Sequence, residues 1–115
     1  MKKIFFVFLI LLSAKSFGQN INVEGLLDCG KWLDARKQGS ASALEHYAIG
    51  TVNGLSLGSG YEIWMGDGNR TTRSQLFYWL DAHCTKNPLD NVVSALMQFA
   101  DQKTIGAWRG EKKKK

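Results

Sequence analysis

The stretch TRSQLFYWLDAHC, residues 72–84, has the pattern of an amphipathic helix that carries a cysteine on its apolar face. Thr72 and Gln75 have the spacing of a capping box, in which two side chains satisfy backbone N–H groups at a helix start. Apolar residues then recur every four positions, which places them on one helix face; these are Leu76, Leu80 and Cys84. The stretch therefore predicts a helix that can be cross-linked through its buried side.

The N-terminus has the composition of an export signal. Lys2 and Lys3 precede an uninterrupted apolar run of nine residues, Ile4 to Leu12, and small residues suited to processing follow. The run is shorter than the ~20 residues that a membrane-spanning helix needs, and no cysteine follows it to carry a lipid anchor. We predict a signal peptide over residues 1–18, cleaved after Gly18, and a periplasmic or secreted mature chain. A retained membrane anchor is the less favoured alternative.

Cys29 and Cys84 are the two cysteines of the chain. An exported protein matures in an oxidising compartment, where a low and even cysteine count indicates a structural disulfide. With two cysteines, a disulfide within the chain can only join Cys29 to Cys84. The bond would close a loop of roughly 55 residues, for which the chain-entropy estimate gives about 4 kcal/mol. Because this is comparable with the net stability of a small domain, we predict that the bond decides whether the fold is stable.

The positive charge of the chain is concentrated at its two ends. The net charge is +5, and removal of a signal peptide with three lysines leaves about +2. The tail at 111–115 contributes +3, so residues 19–110 carry eight basic and nine acidic side chains, a balance of −1. A nucleic-acid binder needs lysine and arginine clustered on a folded surface. We therefore predict no nucleic-acid partner.

Four helical segments are predicted in the mature chain. They cover residues 23–38, from Ser42 or Ala43 to about Leu55, from Thr72 through Cys84, and from Asn87 through Ala100. The apolar face of the first segment consists of Val23, Leu26, Leu27, Gly30 and Leu33. No segment alternates with the period of a strand. We predict an all-α fold, a small four-helix (or slightly larger) disulfide-clamped bundle, as a single domain over 19–110 with a disordered basic tail at 111–115.

Two residue pairs predict details of these helices. Asn87 and Pro88 suit the N-cap and the first position of the last helix. Gly50 and Gly54 lie four residues apart in the second helix, where each costs about 1 kcal/mol relative to alanine. Glycines at this spacing predict the close approach of another helix.

Residues that could carry chemistry are few. His46 and His83 are the only histidines, and neither has a metal-type ligand four residues away, whereas zinc needs three or four ligands. A Cys–His nucleophile pair needs a free thiolate, which a disulfide at Cys84 would remove. We therefore predict no catalytic residue, no metal site and no cofactor. The candidate binding region is the glycine-rich Gly58–Arg70 loop, because an exposed Trp64 there could act as a binding hot spot.

Three segments of the chain match one family pattern. Residues 28–37, DCGKWLDARK, look like the start of the family's domain, and residues 50–55, GTVNGL, are similar to its second helix. Residues 78–89, YWLDAHCTKNPL, resemble its signature W-[LIV]-D-x-[YH]-C-x-x-N-P-L. On these segments the chain resembles the Tai-like (Rap/Tai) family of periplasmic immunity proteins, which neutralise type VI secretion amidase effectors.

The resemblance implies a small disulfide-bonded helical domain, often dimeric, that plugs the cleft of a peptidoglycan-cleaving enzyme. It implies that the chain is not an enzyme, that its partner is a cell-wall amidase effector, and that it can form a homodimer. Cys29 and Cys84 carry over as a structural pair, whereas no inhibitory residue carries over. From expected exposure in the Gly58–Arg70 loop, we predict as partner-binding residues Tyr61, Glu62, Trp64, Asp67 and Arg70.

Three alternatives stay open at this point. An acid-stress periplasmic chaperone of the HdeA kind also uses one disulfide across a small helical bundle, and it would loosen as carboxylates protonate. A secreted structural or binding domain of unknown role is the second. A small secreted hydrolase is the third, although the sequence offers no nucleophile–base–orienter set.

Overall fold

A computed structural model describes residues 25–110. Four α-helices follow one another: α1 Cys29–Gln38, α2 Ser42–Ser59, α3 Arg73–Lys86 and α4 Val92–Thr104, with a short 3-10 helix at Ala107–Arg109. This part of the chain contains no strand, which confirms the predicted all-α fold with a disulfide. The predicted signal peptide at 1–18 and the basic tail at 111–115 lie outside the described residues.

The first helix is shorter than predicted and buries other residues. It begins at Cys29, because the Asp28 side chain accepts a hydrogen bond from Lys31 N (2.7 Å) and acts as the N-cap. Residues 25–28 are therefore not helical, and the prediction of a helix from residue 23 is wrong over this range. The buried face consists of Cys29 and Trp32, whereas Leu26, assigned to that face from the sequence, is 41% exposed.

The last helix begins later than predicted. Its N-cap is Asn91, whose side chain accepts a hydrogen bond from Ser94 N (2.8 Å). Asn87 instead ends α3, where its N–H donates to His83 O (2.8 Å). Pro88 therefore lies in a turn outside both helices, and the predicted start at Asn87 and Pro88 is wrong. The Asn–Pro pattern is typical of a helix start, but here Asn87 is the C-cap of the preceding helix, α3.

The two residues that precede α1 and α4 pair across the molecule. Asp28 and Asn91 form an isolated antiparallel bridge. Cys29 N donates to Asp90 O (3.0 Å), and Val92 N donates to Leu27 O (2.7 Å). The first N–H groups of a helix have no partner within it, so each helix start here is satisfied by the segment that precedes the other.

Helix α2 is longer than predicted, and its glycines face open space. It continues to Ser59 and ends at Gly60 in the left-handed conformation (φ 73°), so Gly58 belongs to the helix and not to the loop. A Cβ built on Gly50 or Gly54 would meet nothing within 4 Å. The predicted close approach of another helix at these two glycines is therefore wrong within residues 25–110.

The core lies around α4, which packs against α2 and α3, while α1 packs against α3. All four α-helices and the segment after α2 contribute fully buried side chains; the largest are Trp32, Val52, Ile63, Leu76, Leu80, Val92 and Leu96. A polar network also joins three helices. Arg36 donates to both carboxylate oxygens of Asp81 and, through Nη1, to Glu45 Oε1 (2.9 Å). These bonds fasten α1 to α2 and α3 at the edge of the core.

Cys29 and Cys84 form the predicted disulfide between α1 and α3. Their Cα atoms are 5.0 Å apart, and both residues are completely buried. Cys29 is the first residue of α1, whereas the predicted helix over residues 23–38 places it in the middle of the helix. The bond therefore attaches the start of α1 to the last turn of α3.

Removing this bond should lower the free energy of unfolding by about 4 kcal/mol, the loop-closure value for a sequence separation of 55. We expect this loss in the Cys29→Ala/Cys84→Ala variant, measured by urea denaturation. Reduced wild-type protein is the matched control, because it loses the cross-link and keeps both sulfur atoms. A double variant as stable as the oxidised wild type would show that noncovalent contacts alone hold α1.

Candidate binding site

The 60–72 loop joins α2 to α3 and is anchored in the core at Ile63. The Ile63 side chain is completely buried, and its backbone N donates to Ser56 Oγ on α2 (3.3 Å). Next to it, Trp64 Nε1 donates to Asn53 Oδ1 (2.9 Å), also on α2. Because two consecutive residues are hydrogen-bonded to the same helix, the indole ring of Trp64 has a defined orientation. The ring is half-buried and packs against the core, so the prediction that Trp64 is exposed is wrong.

Backbone hydrogen bonds close the loop on itself. Thr71 N donates to Trp64 O (2.8 Å), and Gly68 N donates to Met65 O (2.9 Å). Thr72 then caps α3 through the capping box predicted from the sequence: Thr72 Oγ1 accepts from Gln75 N, and Gln75 Oε1 accepts from Thr72 N. The end of the loop is thus held by the start of a helix.

The buried side chain of Lys103 ties the tip of the loop to α4. Lys103 is 8% exposed, and its Nζ donates to Asp67 Oδ1 and to Asn69 O. The hydrogen bond from Lys103 and a second one from the backbone of Asn69 hold the pKa of Asp67 below its ordinary value. A buried ammonium is tolerated only when it is paired, so this contact fixes the position of the loop.

Gly66 lets the loop backbone approach α4 closely. A Cβ at this position would overlap the carbonyl oxygen of Lys103 and lie 2.7 Å from its carbonyl carbon. Glycine is therefore required at position 66 because another segment approaches it closely. This is the role that the sequence predicted for Gly50 and Gly54.

A cavity of about 480 Å³ opens between the loop and the start of α3. Its lining includes two cationic residues, one acidic residue and an apolar wall; these are Arg70, Arg73, Glu62, Trp64 and Met65. Both arginine side chains are exposed. Among residues 25–110, neither guanidinium has an ion-pair or hydrogen-bond partner. The cavity therefore presents two unpaired positive charges next to an aromatic ring.

The structure brings three of the five predicted partner-binding residues together. Glu62, Trp64 and Arg70 line this cavity. Asp67 is engaged by Lys103 and lines a neighbouring cavity of about 360 Å³, so its carboxylate holds the loop in place. Tyr61 is exposed at the start of the loop and lies outside the set that lines the larger cavity.

Two important residues were missed from the sequence. Arg73 follows the capping Thr72 directly, so its place at the mouth of the loop could have been inferred from the predicted helix start. Lys103 lies 36 residues from Asp67 along the chain. No local pattern indicates that the two side chains meet.

Each of the two histidines makes a polar contact with another group of the protein. His83 Nε2 lies 2.7 Å from Asp90 Oδ2, and the Trp79 ring stacks on the imidazole at 5.2 Å between centroids. Burial opposes ionisation of Asp90, but the contacts with His83 and the backbone N–H of Asn91 outweigh it, so the pKa of Asp90 lies below its ordinary value. His46 is exposed and contacts Ser42 O. Within the described range, no group of three His, Cys, Asp or Glu residues could hold a metal ion.

Comparison with family models, with curated proteins and with solved structures found no significant match. None of the helices in residues 25–110 has the length and apolar character needed to cross a membrane.

Gly66→Ala should destabilise the protein by about 1–3 kcal/mol, because the added methyl group meets backbone that cannot move aside easily. Gly50→Ala is the matched control: its methyl group would enter open space in the interior of a helix, so a gain of about 1 kcal/mol is expected. Thermal and urea unfolding of both variants check this pair. Equal effects of the two substitutions would contradict the close approach of the loop to α4.

Acidification should weaken the attachment of the loop tip to α4. Because the folded pKa of Asp67 is lowered, its contribution to stability is full above the ordinary aspartate value of 3.8 and is lost as the pH falls through the folded value. We expect the amide NMR signal of Asn69 to titrate in this acidic range in the wild type and to stay constant in Asp67→Asn. Asp34→Asn, a change at an exposed position on α1, should leave the titration intact. Asn69 N donates to Asp67 Oδ1 (3.0 Å), so a pH-independent Asn69 signal in the wild type would contradict the engagement of this carboxylate in the loop.

Proposed function

We propose that this chain is a periplasmic immunity protein that binds and blocks a secreted peptidoglycan amidase effector. In this proposal the surface of the 60–72 loop and its 480 Å³ cavity contact the enzyme, and the chain itself catalyses no reaction. Export through a signal peptide at 1–18 brings it to the compartment in which such an effector acts.

The observation that carries the proposal is a surface loop held rigid from three sides. Ile63 and Trp64 are bonded to α2, Thr72 begins α3, and Lys103 on α4 holds the tip. A loop that is ordered before it binds loses little conformational entropy on binding, which favours affinity. Tryptophan and arginine are also the residues enriched at interface hot spots. These features suit an inhibitor that presents a preformed surface to its target.

The amidase as target is supported by the family resemblance of residues 28–37 and 78–89. The pairing of Cys29 with Cys84 is the cross-link that the resemblance implies. A buried disulfide is also compatible with an oxidising compartment, and thus with a periplasmic or secreted protein.

The proposal of a non-enzymatic role rests on the side chains that could act in catalysis. Cys84 is bonded to Cys29 and offers no thiolate. His83 and Asp90 have the arrangement of a base with its orienting carboxylate, but within residues 25–110 no nucleophilic side chain is bonded to the other side of His83. Acyl-transfer chemistry of the triad type needs all three groups.

One observation favours an acid-stress chaperone as a second candidate. Asp67, Asp90 and Asp101 all have lowered pKa values, and they attach the loop, the α3–α4 turn and the 3-10 helix to the rest of the fold. Asp101 attaches the 3-10 helix, because Arg109 and Trp108 of that helix donate hydrogen bonds to its carboxylate. Stability that these carboxylates provide is lost as the pH falls below their range, which would expose apolar surface to client proteins.

The deciding experiment is a pull-down with the full chain, expressed with its predicted signal peptide and purified in oxidised form. It is incubated with envelope and secreted fractions of its own organism, and cell-wall hydrolysis is measured in the same samples. Recovery of a hydrolase that is silenced at an equal molar ratio supports the proposal. Recovery of many unrelated proteins after acid exposure alone supports the chaperone instead.

Trp64→Ala should weaken inhibition of the recovered hydrolase by about 30-fold, the effect of losing a hot-spot residue worth about 2 kcal/mol. Tyr78→Ala is the matched control, because Tyr78 is an exposed aromatic residue on α3 outside the set that lines the cavity. Unfolding midpoints of both variants are measured alongside. Equal inhibition by the folded Trp64→Ala variant and the wild type would rule out the loop as the contact surface.

A further inference from the structure

The cavity beside the 60–72 loop carries a net charge of +1. Arg70 and Arg73 contribute two positive charges to its lining, and Glu62 contributes one negative charge. The Glu62 carboxylate accepts a hydrogen bond from Trp64 N (3.1 Å) and makes no ion pair with either arginine. The two guanidinium groups are therefore available to an anion from outside.

We infer that this cavity binds a single acidic side chain, an aspartate or glutamate, presented by the protein partner. The inference deepens the proposed function and rests on it for the identity of the partner. Arginine donates through a planar fork that matches the two oxygens of a carboxylate. Because neither guanidinium group has an ion-pair partner among residues 25–110, binding a carboxylate breaks no ion pair within these residues.

The charge balance favours one carboxylate over a polyanion. A single carboxylate neutralises the net +1 of the cavity. Residues 25–110 as a whole carry eight basic and eight acidic side chains, so the described part of the chain has no net positive charge to attract a polyanion. Nucleic acids and other polyanions are bound through a broad positive field.

The shape and lining favour a side chain of a protein over a small free anion. The volume of about 480 Å³ falls within the range of ligand clefts, about 300–1,000 Å³, and exceeds the need of one carboxylate group. Trp64 and Met65 supply an apolar wall, against which the aliphatic stem of an acidic residue and its neighbours can pack. Trp64 is held by Asn53, and Thr72 by the capping box, so both sides of the cavity are positioned in advance.

The first test uses a probe of known chemistry and the oxidised full chain. A capped heptapeptide with one glutamate among glycine and serine residues is titrated at millimolar concentration, and the indole signal of Trp64 and the guanidinium signals of Arg70 and Arg73 are followed by NMR. We expect at least about 10-fold weaker binding of the same peptide with glutamine in place of glutamate. Equal binding of the two peptides, or binding of neither, would overturn the inference. Stronger competition by inorganic phosphate than by acetate would assign the cavity to phosphate and would overturn it as well.

The second test uses the inhibited hydrolase and a charge-matched pair of variants. Arg70→Gln/Arg73→Gln should weaken the complex by about 10-fold or more, as expected for loss of a charge-assisted pair. Lys31→Gln/Lys37→Gln removes the same charge from exposed positions on α1 and should change affinity less than about 2-fold. Equal losses in the two double variants would indicate long-range charge attraction and would overturn the inference.

The two proposals fail in distinguishable ways. If Trp64→Ala abolishes inhibition while Arg70→Gln/Arg73→Gln binds like the wild type, the immunity function stands and the acidic-side-chain inference is wrong. If the glutamate peptide binds selectively and no hydrolase is recovered, the cavity chemistry stands and the immunity function is wrong.

Discussion

The Cys29–Cys84 disulfide joins α1 to the last turn of α3, and the rest of the arrangement depends on this attachment. Helix α1 is ten residues long, too short to be stable alone. The bond and the backbone pairing of Asp28 with Asn91 hold the start of α1 against the last turn of α3 and the start of α4. At the other end of α3, the capping box of Thr72 and Gln75 attaches the end of the 60–72 loop to the helix.

The loop has a second fixed point at Lys103, and the candidate site lies between the two. The buried ammonium holds Asp67 and Asn69, and Gly66 permits contact between the two backbones. The cavity, whose two arginines have no ion-pair partner among residues 25–110, is thus built on a framework of helices, although its lining belongs largely to a loop. This is the physical basis of the proposed binding role: charged and aromatic groups are positioned on a surface whose geometry the core determines.

Local chemistry could be predicted from the sequence, and contacts between distant segments could not. Thr72 and Gln75 predicted the start of α3 correctly, because a capping box depends on residues three positions apart. Asn87 and Pro88 suggested a helix start with equal plausibility, but Asn87 completes the end of α3. Gly50 and Gly54 suggested a helix contact, whereas the glycine that backbone contact requires is Gly66. In each failure, residues remote in the chain decided between roles that the local pattern allowed equally.

The sequence by itself determined the all-α class, the disulfide and the loop in which Glu62, Trp64 and Arg70 meet. It could do so because helix periodicity, the pairing of two cysteines and the clustering of glycines are properties of the chain alone. The tertiary structure decided that Asp67 holds the loop to Lys103, and that Arg73 joins Arg70 at one cavity. These outcomes depend on where α4 passes the loop and on which charges find a partner, and packing of the whole core sets both.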